Sequence, residues 1–233
     1  MLLQSRCAGC DRPGVPLCRT CRFALVQPSR RPPGATGPAD HRVISAVPFT
    51  GRARDVVLGF KYRNRRQLAG HLAGLLVNRL LAAGIRPGVD VDVVTWAPTS
   101  PHRRRQRGFD QAQLVAEQVA RQLGLRSRRL LERDGAQPAQ TGRGRVDRLQ
   151  GPTFRIRPDV AGRRVLVIDD VVTTGATLRS AAECLRGAGA IDVVSAAVAS
   201  TPGGLASRRQ RWGEVVTGPW PVDGTGAGVR QSA

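Results

Sequence analysis

The chain has 233 residues, of which 41% are hydrophobic and 23% are charged, proportions typical of a globular protein. Its 37 basic and 17 acidic side chains give a net charge of +20, which suits nucleic acid or a phosphorylated small molecule as a ligand. Plain solubility is a third explanation for the positive charge. Every basic residue except Lys61 is Arg, and this skew indicates a compositional bias rather than a choice made site by site. No apolar run is long enough to span a bilayer or form a signal-peptide core, so we expect a cytoplasmic protein without membrane insertion.

Four cysteines near the N-terminus follow the pattern C-x2-C-x7-C-x2-C. They are Cys7, Cys10, Cys18 and Cys21. Two such pairs can present four thiolates to one tetrahedral Zn²⁺ ion. The alternative is a pair of disulfides, which a chain in a reducing compartment would not normally keep. We therefore predict a structural four-cysteine zinc knuckle over residues 1–26, in which the metal supplies the folding energy.

The rest of the chain divides into a linker, one domain and a tail. Residues 27–42 are rich in Pro, Gly and Arg and predict a linker, and residues 203–233 predict a flexible tail. Strand patterns occur at 43–49, 92–98, 153–157, 165–168 and 193–199, and helix patterns at 66–83, 110–124 and 177–187. Their alternation over 43–202 predicts an α/β domain with a central, mostly parallel sheet flanked by helices. Residues 132–152 lack an apolar stripe and predict a mobile loop.

The most informative segment, residues 165–177, reads VLVIDDVVTTGAT. Its apolar start predicts a buried parallel strand with Asp169 and Asp170 at its C-terminal end, followed by a loop that enters a helix. The N–H groups and Thr hydroxyls of this loop can surround a phosphate at the helix N-terminus, where Gly175 permits close approach. Two carboxylates beside a phosphate need hydrogen-bond donors, and the hydroxyls of a ribose 5′-phosphate meet that need.

This segment resembles, at all thirteen positions, the phosphoribosyl pyrophosphate (PRPP) motif of type I phosphoribosyltransferases. A second stretch, 96–124, is similar to the signature of the ComF subfamily, whose members also tend to begin with a cysteine zinc knuckle. The residues that match it are Pro98, Pro101, Arg103, Arg107, Gly108, Phe109, Gln111 and Ala112. Phe60 to Tyr62 also match, whereas Asp110 departs from the Asn that the family usually has. Asp caps helices equally well, so the fold is expected to be unaffected.

The resemblance implies a type I phosphoribosyltransferase-like fold that binds Mg²⁺·PRPP, with roles for particular residues. The 5′-phosphate would be held by Val171, Val172, Thr173, Thr174, Gly175, Ala176 and Thr177. Asp169 and Asp170 would hold the ribose hydroxyls and stabilise the oxocarbenium-like centre as catalytic residues. The pyrophosphate would be held by Thr99, Ser100, Arg103, Arg104 and Arg107. Lys61 is a further candidate for the pyrophosphate, because a single Lys in an Arg-rich chain suggests a site that needs a compact ammonium. The alternative for Lys61 is that one Lys survived by chance. The alternative for the arginines is that they form a solvated basic loop.

Three functions are compatible with these patterns. The first is an enzyme that transfers phosphoribose from PRPP to an unidentified base or related acceptor. The second is a non-catalytic PRPP- or nucleotide-binding accessory protein in competence-related DNA uptake or utilisation, in contact with single-stranded DNA or a helicase-like partner, as the ComF resemblance implies. A sequence-specific DNA binder ranks last, because the chain lacks the Cys/His helix pattern of classical zinc fingers. A homodimer remains open.

Overall fold

The structure is a computed structural model that describes residues 5–26, 43–63, 65–134, 152–157 and 160–202. The predicted linker, nearly all of the predicted mobile loop and the predicted tail lie outside the described residues. The helices are α1 (Arg19–Val26), α2 (Gly51–Tyr62), α3 (Ala69–Ala82), α4 (Pro101–Arg107), α5 (Gln111–Leu123) and α6 (Ala176–Gly187), with a 3₁₀ turn at Arg66–Leu68. The strands are β1 (Val43–Pro48), β2 (Val93–Trp96), β3 (Arg126–Ser127), β4 (Leu131–Arg133), β5 (Phe154–Ile156), β6 (Arg164–Val172) and β7 (Asp192–Ser200).

Five of the strands form one parallel sheet in the order β1-β7-β6-β2-β3. All four residues of β2 are buried, as are Val165 to Ile168 of β6, because both faces of a parallel sheet are covered. The remaining two strands, β4 and β5, pair with each other as a small antiparallel hairpin. The α/β fold with a central, mostly parallel sheet is therefore confirmed.

The helices cover the two faces of the sheet in separate layers. Leu166 and Ile168 of β6 pack in one core with α3 and α5, whereas Val165 and Val167 pack in a second core with α6. Alternate residues of a strand point to opposite faces, so both cores share the same strand. The helix after β2 leads to β3 on one side, and the helix after β6 leads to β7 on the other. The strand order thus reverses between β2 and β6, the position at which open α/β sheets bind ligands.

The helix predicted over 110–124 is present, and its ends follow the rules of helix capping. Asp110 is the N-cap residue, and its carboxylate accepts the N–H groups of Ala112 and Gln113. Gly124 adopts the left-handed conformation just beyond the last turn, with φ 67°. The chain therefore leaves α5 with a defined direction towards the edge strand β3.

Three parts of the domain differ from the sequence-based expectation. Helices α2 and α4 occupy segments for which no element was predicted. Helix α4 has no buried residue, whereas α2 buries Ala53, Val56, Val57 and Phe60, a short apolar stripe at helical spacing that was overlooked in the sequence. Strand β6 continues beyond Ile168 to Val172, so the two carboxylates of 169–170 lie within the paired strand rather than after it. Residues 132–133, expected to begin the loop, belong to β4, since Leu131 is buried and the backbone pairs with β5.

The cysteine segment packs directly against the domain through helix α2. Cys7, Ala8, Cys21 and Leu25 are buried in the same core as α2 and α3. The backbones approach so closely that a Cβ atom built on Gly59 of α2 would lie 2.9 Å from the carbonyl carbon of Ala8 and closer still to its oxygen. Only glycine fits this position, because backbone atoms cannot move aside as a side chain can.

We predict that Gly59→Ala lowers the free energy of unfolding by about 1–3 kcal/mol, the usual cost of overpacking. Ala in a helix interior is normally the more stable residue, so the loss would report the contact with Ala8. Chemical denaturation measures it, with Gly74→Ala in α3 as the matched control. A Cβ on Gly74 would meet only Gln122 Oε1 at 3.5 Å, so that variant is expected to be neutral or slightly stabilised. A Gly59→Ala variant as stable as the unmodified chain would contradict the prediction.

Candidate active site

A cavity of about 450 Å³ lies where β2 and β6 end, at the reversal of strand order. Most of the residues selected from the sequence line it. They are Lys61, Thr99, Arg103, Arg107, Asp169, Asp170, Val171, Val172, Thr173, Thr174, Gly175, Ala176 and Thr177. Ser100 and Arg104 lie on the same turn and helix but are not among the lining residues. The fold therefore brings together three segments that are far apart in the sequence.

The turn after β2 is held in place at both of its ends. Ser100 caps α4, and its hydroxyl accepts the N–H of Arg103 at 3.4 Å, while Pro101 occupies the first helical turn. The carboxylate of Asp110 accepts the N–H of Thr99 at 2.9 Å through the oxygen that does not cap α5. Burial, and to a smaller extent the charge of Asp170, raise the pKa of Asp110. One buried carboxylate therefore fixes both the turn and the next helix.

Helix α2 supplies a cation to the acidic pair. Lys61 Nζ lies 3.0 Å from Asp170 Oδ2, and both side chains are largely shielded from solvent. The backbone oxygen of Lys61 accepts a hydrogen bond from the buried amide of Gln111 at 3.3 Å. The single lysine of the chain thus touches one of the two aspartates that the sequence singled out.

Arg107 connects α2 to the start of α5. Its guanidinium donates to Gln111 Oε1 at 3.0 Å and to Tyr62 Oη at 2.9 Å, and it lies 4.8 Å from the centre of the Tyr62 ring. Beside it, the rings of Phe60 and Phe109 pack edge to face at 6.0 Å. These contacts hold the end of α2 against the start of α5.

Asp169 differs from its neighbour in its electrostatic surroundings. Burial and the charge of Asp170 raise the pKa of Asp169 to about 7, although the N–H of Asp170 and the charge of Lys61 act in the opposite direction. Asp169 Oδ1 accepts that N–H at 2.7 Å. The pair therefore combines an ion-paired carboxylate with one that holds a proton near neutral pH.

The loop after β6 has the geometry of an anion-binding turn. Gly175 adopts the left-handed conformation with φ 76° at the position before α6, and Thr174 Oγ1 accepts the N–H of Ala176 at 3.4 Å. The free N–H groups at the start of this twelve-residue helix favour a negative charge. Thr173 and Thr177 also line the cavity. This geometry could hold an anion at the start of α6.

Some lining residues were missed by sequence reasoning. Arg133 of β4 lines the cavity, as do the apolar side chains of Phe49 and Leu58. Burial lowers the pKa of Arg133, as does the nearby charge of Arg103, and the charges of Asp169 and Asp110 partly compensate. Nothing local in the sequence marks Arg133, because it reaches the cavity only through the pairing of β4 with β5.

The four N-terminal cysteines form a second, separate site. Their sulfur atoms all lie within 4.8 Å of one another, with Cys10 and Cys18 Sγ 3.7 Å apart. All are free thiols, and this spacing suits the four corners of a tetrahedral metal ion. The cluster could therefore bind a metal such as zinc.

The chain was compared with known proteins. Residues 110–231 match the family described as the phosphoribosyl transferase domain. The chain is 31% identical to the DNA utilization protein YhgH of Salmonella typhimurium over 197 residues, 81% of this chain and 86% of YhgH. It is 28% identical to YhgH of Escherichia coli K12 over 199 residues, 81% of this chain and 87% of that protein.

Solved structures were also found to be similar. One is the glutamine PRPP amidotransferase from B. subtilis, complexed with ADP and GMP, at a TM-score of 0.40 and 24% identity. The match covers 57% of this chain and 26% of that one. No helix among the described residues has the length and apolarity needed to cross a membrane.

Fold, site and comparisons agree on the class of protein. The cavity lies at the strand reversal of a parallel sheet, and the 169–177 segment that lines it falls inside the matched range 110–231. The chain belongs to the phosphoribosyl transferase family. Within that family, its similarity to YhgH over four fifths of its length places it in the ComF-like group.

We predict that Asp169→Asn becomes progressively more stabilising, relative to the unmodified chain, as the pH rises from about 5 to about 8. The folded chain keeps a proton on Asp169 up to about pH 7, whereas the unfolded chain loses it near the ordinary value of 3.8. Stability is therefore lost as pH rises between these values, and Asn removes that loss while keeping an oxygen for the Asp170 N–H.

Thermal unfolding across this pH range measures the difference. Asp90→Asn is the control, because Arg86 holds the pKa of Asp90 at about 2. The Asp90 carboxylate contributes its full stabilisation at any pH above 3.8, the ordinary pKa of Asp. The effect of Asp90→Asn on stability should therefore be constant over the same pH range. A pH-independent effect of Asp169→Asn would contradict the prediction.

Proposed function

We propose that this protein binds Mg²⁺·PRPP in the cavity and transfers its phosphoribosyl group to a nitrogenous base or related acceptor, releasing pyrophosphate. The observation that carries the proposal is the convergence, at one strand reversal, of the 171–177 loop, the pair Asp169 and Asp170, and cations from α2 and α4. These groups match the parts of PRPP: a 5′-phosphate, a ribose diol and a diphosphate.

The roles of the residues follow from where charge develops. The bond from C1 to the diphosphate oxygen breaks with its electron pair, the acceptor nitrogen bonds to C1, and its proton is lost to water. The ribose ring becomes positively charged on the way. The carboxylate of Asp170, joined by that of Asp169 when it is ionised, stabilises that charge. Arg103 and Arg107 neutralise the departing pyrophosphate, and the apolar wall at Phe49 and Leu58 limits access of water.

Magnesium would be held chiefly by oxygens of the substrate. It binds oxygen ligands, keeps several waters and usually needs only one or two carboxylates from the protein. Asp169 and Asp170 are the carboxylates that could take part, and when bound the ion would add positive charge beside the diphosphate. The donor set of the cavity therefore fits Mg²⁺ in company with PRPP.

A second candidate is a role in DNA utilisation in which the domain binds PRPP or a nucleotide without catalysis. The relatives that share most of the chain are named DNA utilization proteins, and the net charge of +20 would attract single-stranded DNA in a salt-dependent manner. A helicase-like protein is the partner that this role would involve. Both candidates assume a cytoplasmic location, where cysteine thiols stay reduced.

We predict that replacing Asp169 and Asp170 together by Asn weakens the binding of Mg²⁺·PRPP at least about tenfold, because charge-assisted bonds to the ribose hydroxyls are lost. Isothermal titration calorimetry measures the affinity. A matched control is Asp90→Asn with Asp192→Asn, which makes the same two replacements of Asp by Asn at positions outside the cavity. Unchanged affinity in the first variant would refute the assignment.

The two candidate functions are separated by assaying pyrophosphate release. The unmodified chain is incubated with Mg²⁺·PRPP and a panel of purine and pyrimidine bases, with the double Asn variant as the blank. Release with any base supports the enzyme. Binding of PRPP without release across the panel favours the accessory role.

For the cysteine cluster we propose a structural zinc ion, which four ligands would leave without an open position for substrate. We predict one equivalent of zinc in the purified chain, lost with unfolding of the 5–26 segment in Cys18→Ser. Elemental analysis measures the metal. Cys184→Ser is the control, because the Cys184 thiol lies on α6 and donates to the Phe154 oxygen instead. Full zinc occupancy in Cys18→Ser would contradict a four-cysteine site.

A further inference from the structure

Gln111 is a buried polar side chain to which the proposed reaction assigns no role. It is the first residue of α5, and only 1% of its surface is exposed. Unlike Lys61 and Arg107, it is not among the residues that line the cavity. A buried amide is costly unless its polar atoms form hydrogen bonds, so the partners of Gln111 show what this position requires.

The amide bridges two helices at the points where they deliver cations to the cavity. Its Nε2 donates to the backbone oxygen of Lys61 at 3.3 Å, and its Oε1 accepts from Nη1 of Arg107 at 3.0 Å. A backbone oxygen only accepts and a guanidinium only donates, so both bonds form in a single orientation of the amide. Gln111 therefore fixes the last turn of α2 and the last residue of α4 relative to the start of α5.

The bond to Lys61 satisfies an atom that α2 cannot satisfy within itself. The last four carbonyl groups of a helix have no N–H partner in that helix, and Lys61 lies one residue before the end of α2. The ammonium of the same residue lies 3.0 Å from Oδ2 of Asp170, with 13% of the side chain exposed. Loss of the amide donor would therefore release the turn that carries this ammonium.

A second link between α2 and α4 is weaker because it is open to solvent. Nη2 of Arg107 donates to Tyr62 Oη at 2.9 Å, but 65% of Tyr62 is exposed, so water competes for this bond. The bonds of Gln111 are shielded from water by burial, where a hydrogen bond is stronger. The buried amide therefore determines the geometry of the two helix ends.

We propose that Gln111 is a positioning residue that sets the place of the Lys61 ammonium and the Arg107 guanidinium in the cavity. It acts only through these two residues, because its own side chain does not line the cavity. The inference rests on the proposed function for what the two cations bind. The positioning itself is independent of any ligand.

The first test uses the single lysine of the chain as a probe. An amine-acetylating ester modifies Lys61, and mass spectrometry of the peptide that contains it gives the rate separately from that of the N-terminal amine. Lys61 should react slowly in the unmodified chain, because its ammonium is paired and shielded. In Gln111→Met, which keeps the side-chain volume but neither hydrogen bond, we expect the rate to rise about fivefold, the population shift that loss of one hydrogen bond produces.

Two controls on the same helix separate positioning from a general loss of stability. Gln113→Met removes an amide that donates to Glu117 at the surface, and Val119→Ala removes buried apolar volume outside the cavity. Neither should change the acetylation rate of Lys61, and circular dichroism checks that every variant is folded. An unchanged rate in Gln111→Met would overturn the inference, as would an equal rise in Val119→Ala.

The second test measures the affinity for Mg²⁺·PRPP by calorimetry. We expect the dissociation constant to rise about fivefold in Gln111→Met and to stay unchanged in Gln113→Met. The rise should be smaller in a chain that already carries Lys61→Met, because one of the two positioned groups is then missing. A rise of the same size in both chains would overturn the inference, because Gln111 would then act independently of Lys61.

The two tests separate this inference from the proposal beneath it. Failure of the unmodified chain to bind Mg²⁺·PRPP would refute the proposed function, while faster acetylation of Lys61 in Gln111→Met would still support the positioning of this lysine. Binding of Mg²⁺·PRPP together with an unchanged acetylation rate would overturn the role of Gln111 and leave the proposed function intact.

Discussion

The pairing of β2 with β6 is the constraint on which the rest of the site depends. Residues 93–96 pair in register with 165–168, which places the turn at Thr99 beside the carboxylates of Asp169 and Asp170. Because the helices that follow the two strands cover opposite faces, no helix can cover the gap between the strand ends. The cavity is therefore a consequence of chain topology, and its chemistry depends on the few side chains that reach it.

Those side chains form a local balance of charge that the total of +20 does not describe. Lys61 forms an ion pair with Asp170, while burial and the charge of Asp170 raise the pKa of Asp169 to about 7. The arginines at the turn and on the hairpin add positive charge to the cavity. PRPP, the ligand proposed above, carries a 5′-phosphate and a diphosphate on opposite sides of its ribose hydroxyls, so it would offer anions to the cations and hydroxyls to the carboxyl groups.

The sequence predicted the central strands, helix α5 and the 165–177 segment. Their apolar runs and their capping residues are patterns of adjacent residues, so they can be recognised without knowledge of the fold. Helix α4 was not predicted, since PHRRRQR has no apolar stripe and its helix depends on the Ser100 cap, Pro101 and the turn that Asp110 holds. Arg133 was missed for a different reason. Its place in the cavity follows from the pairing of β4 with a strand about twenty residues away, which no local pattern encodes.

The contact between Ala8 and Gly59 gives the cysteine segment a role inside the domain. A segment of about twenty residues buries too little apolar surface to be stable alone, so its packing against the face of α2 contributes to its stability. Helix α2 ends with Lys61 and Tyr62, which contact Asp170 and Arg107. The packing of the cysteine segment on α2 therefore supports the helix that supplies the lysine of the cavity.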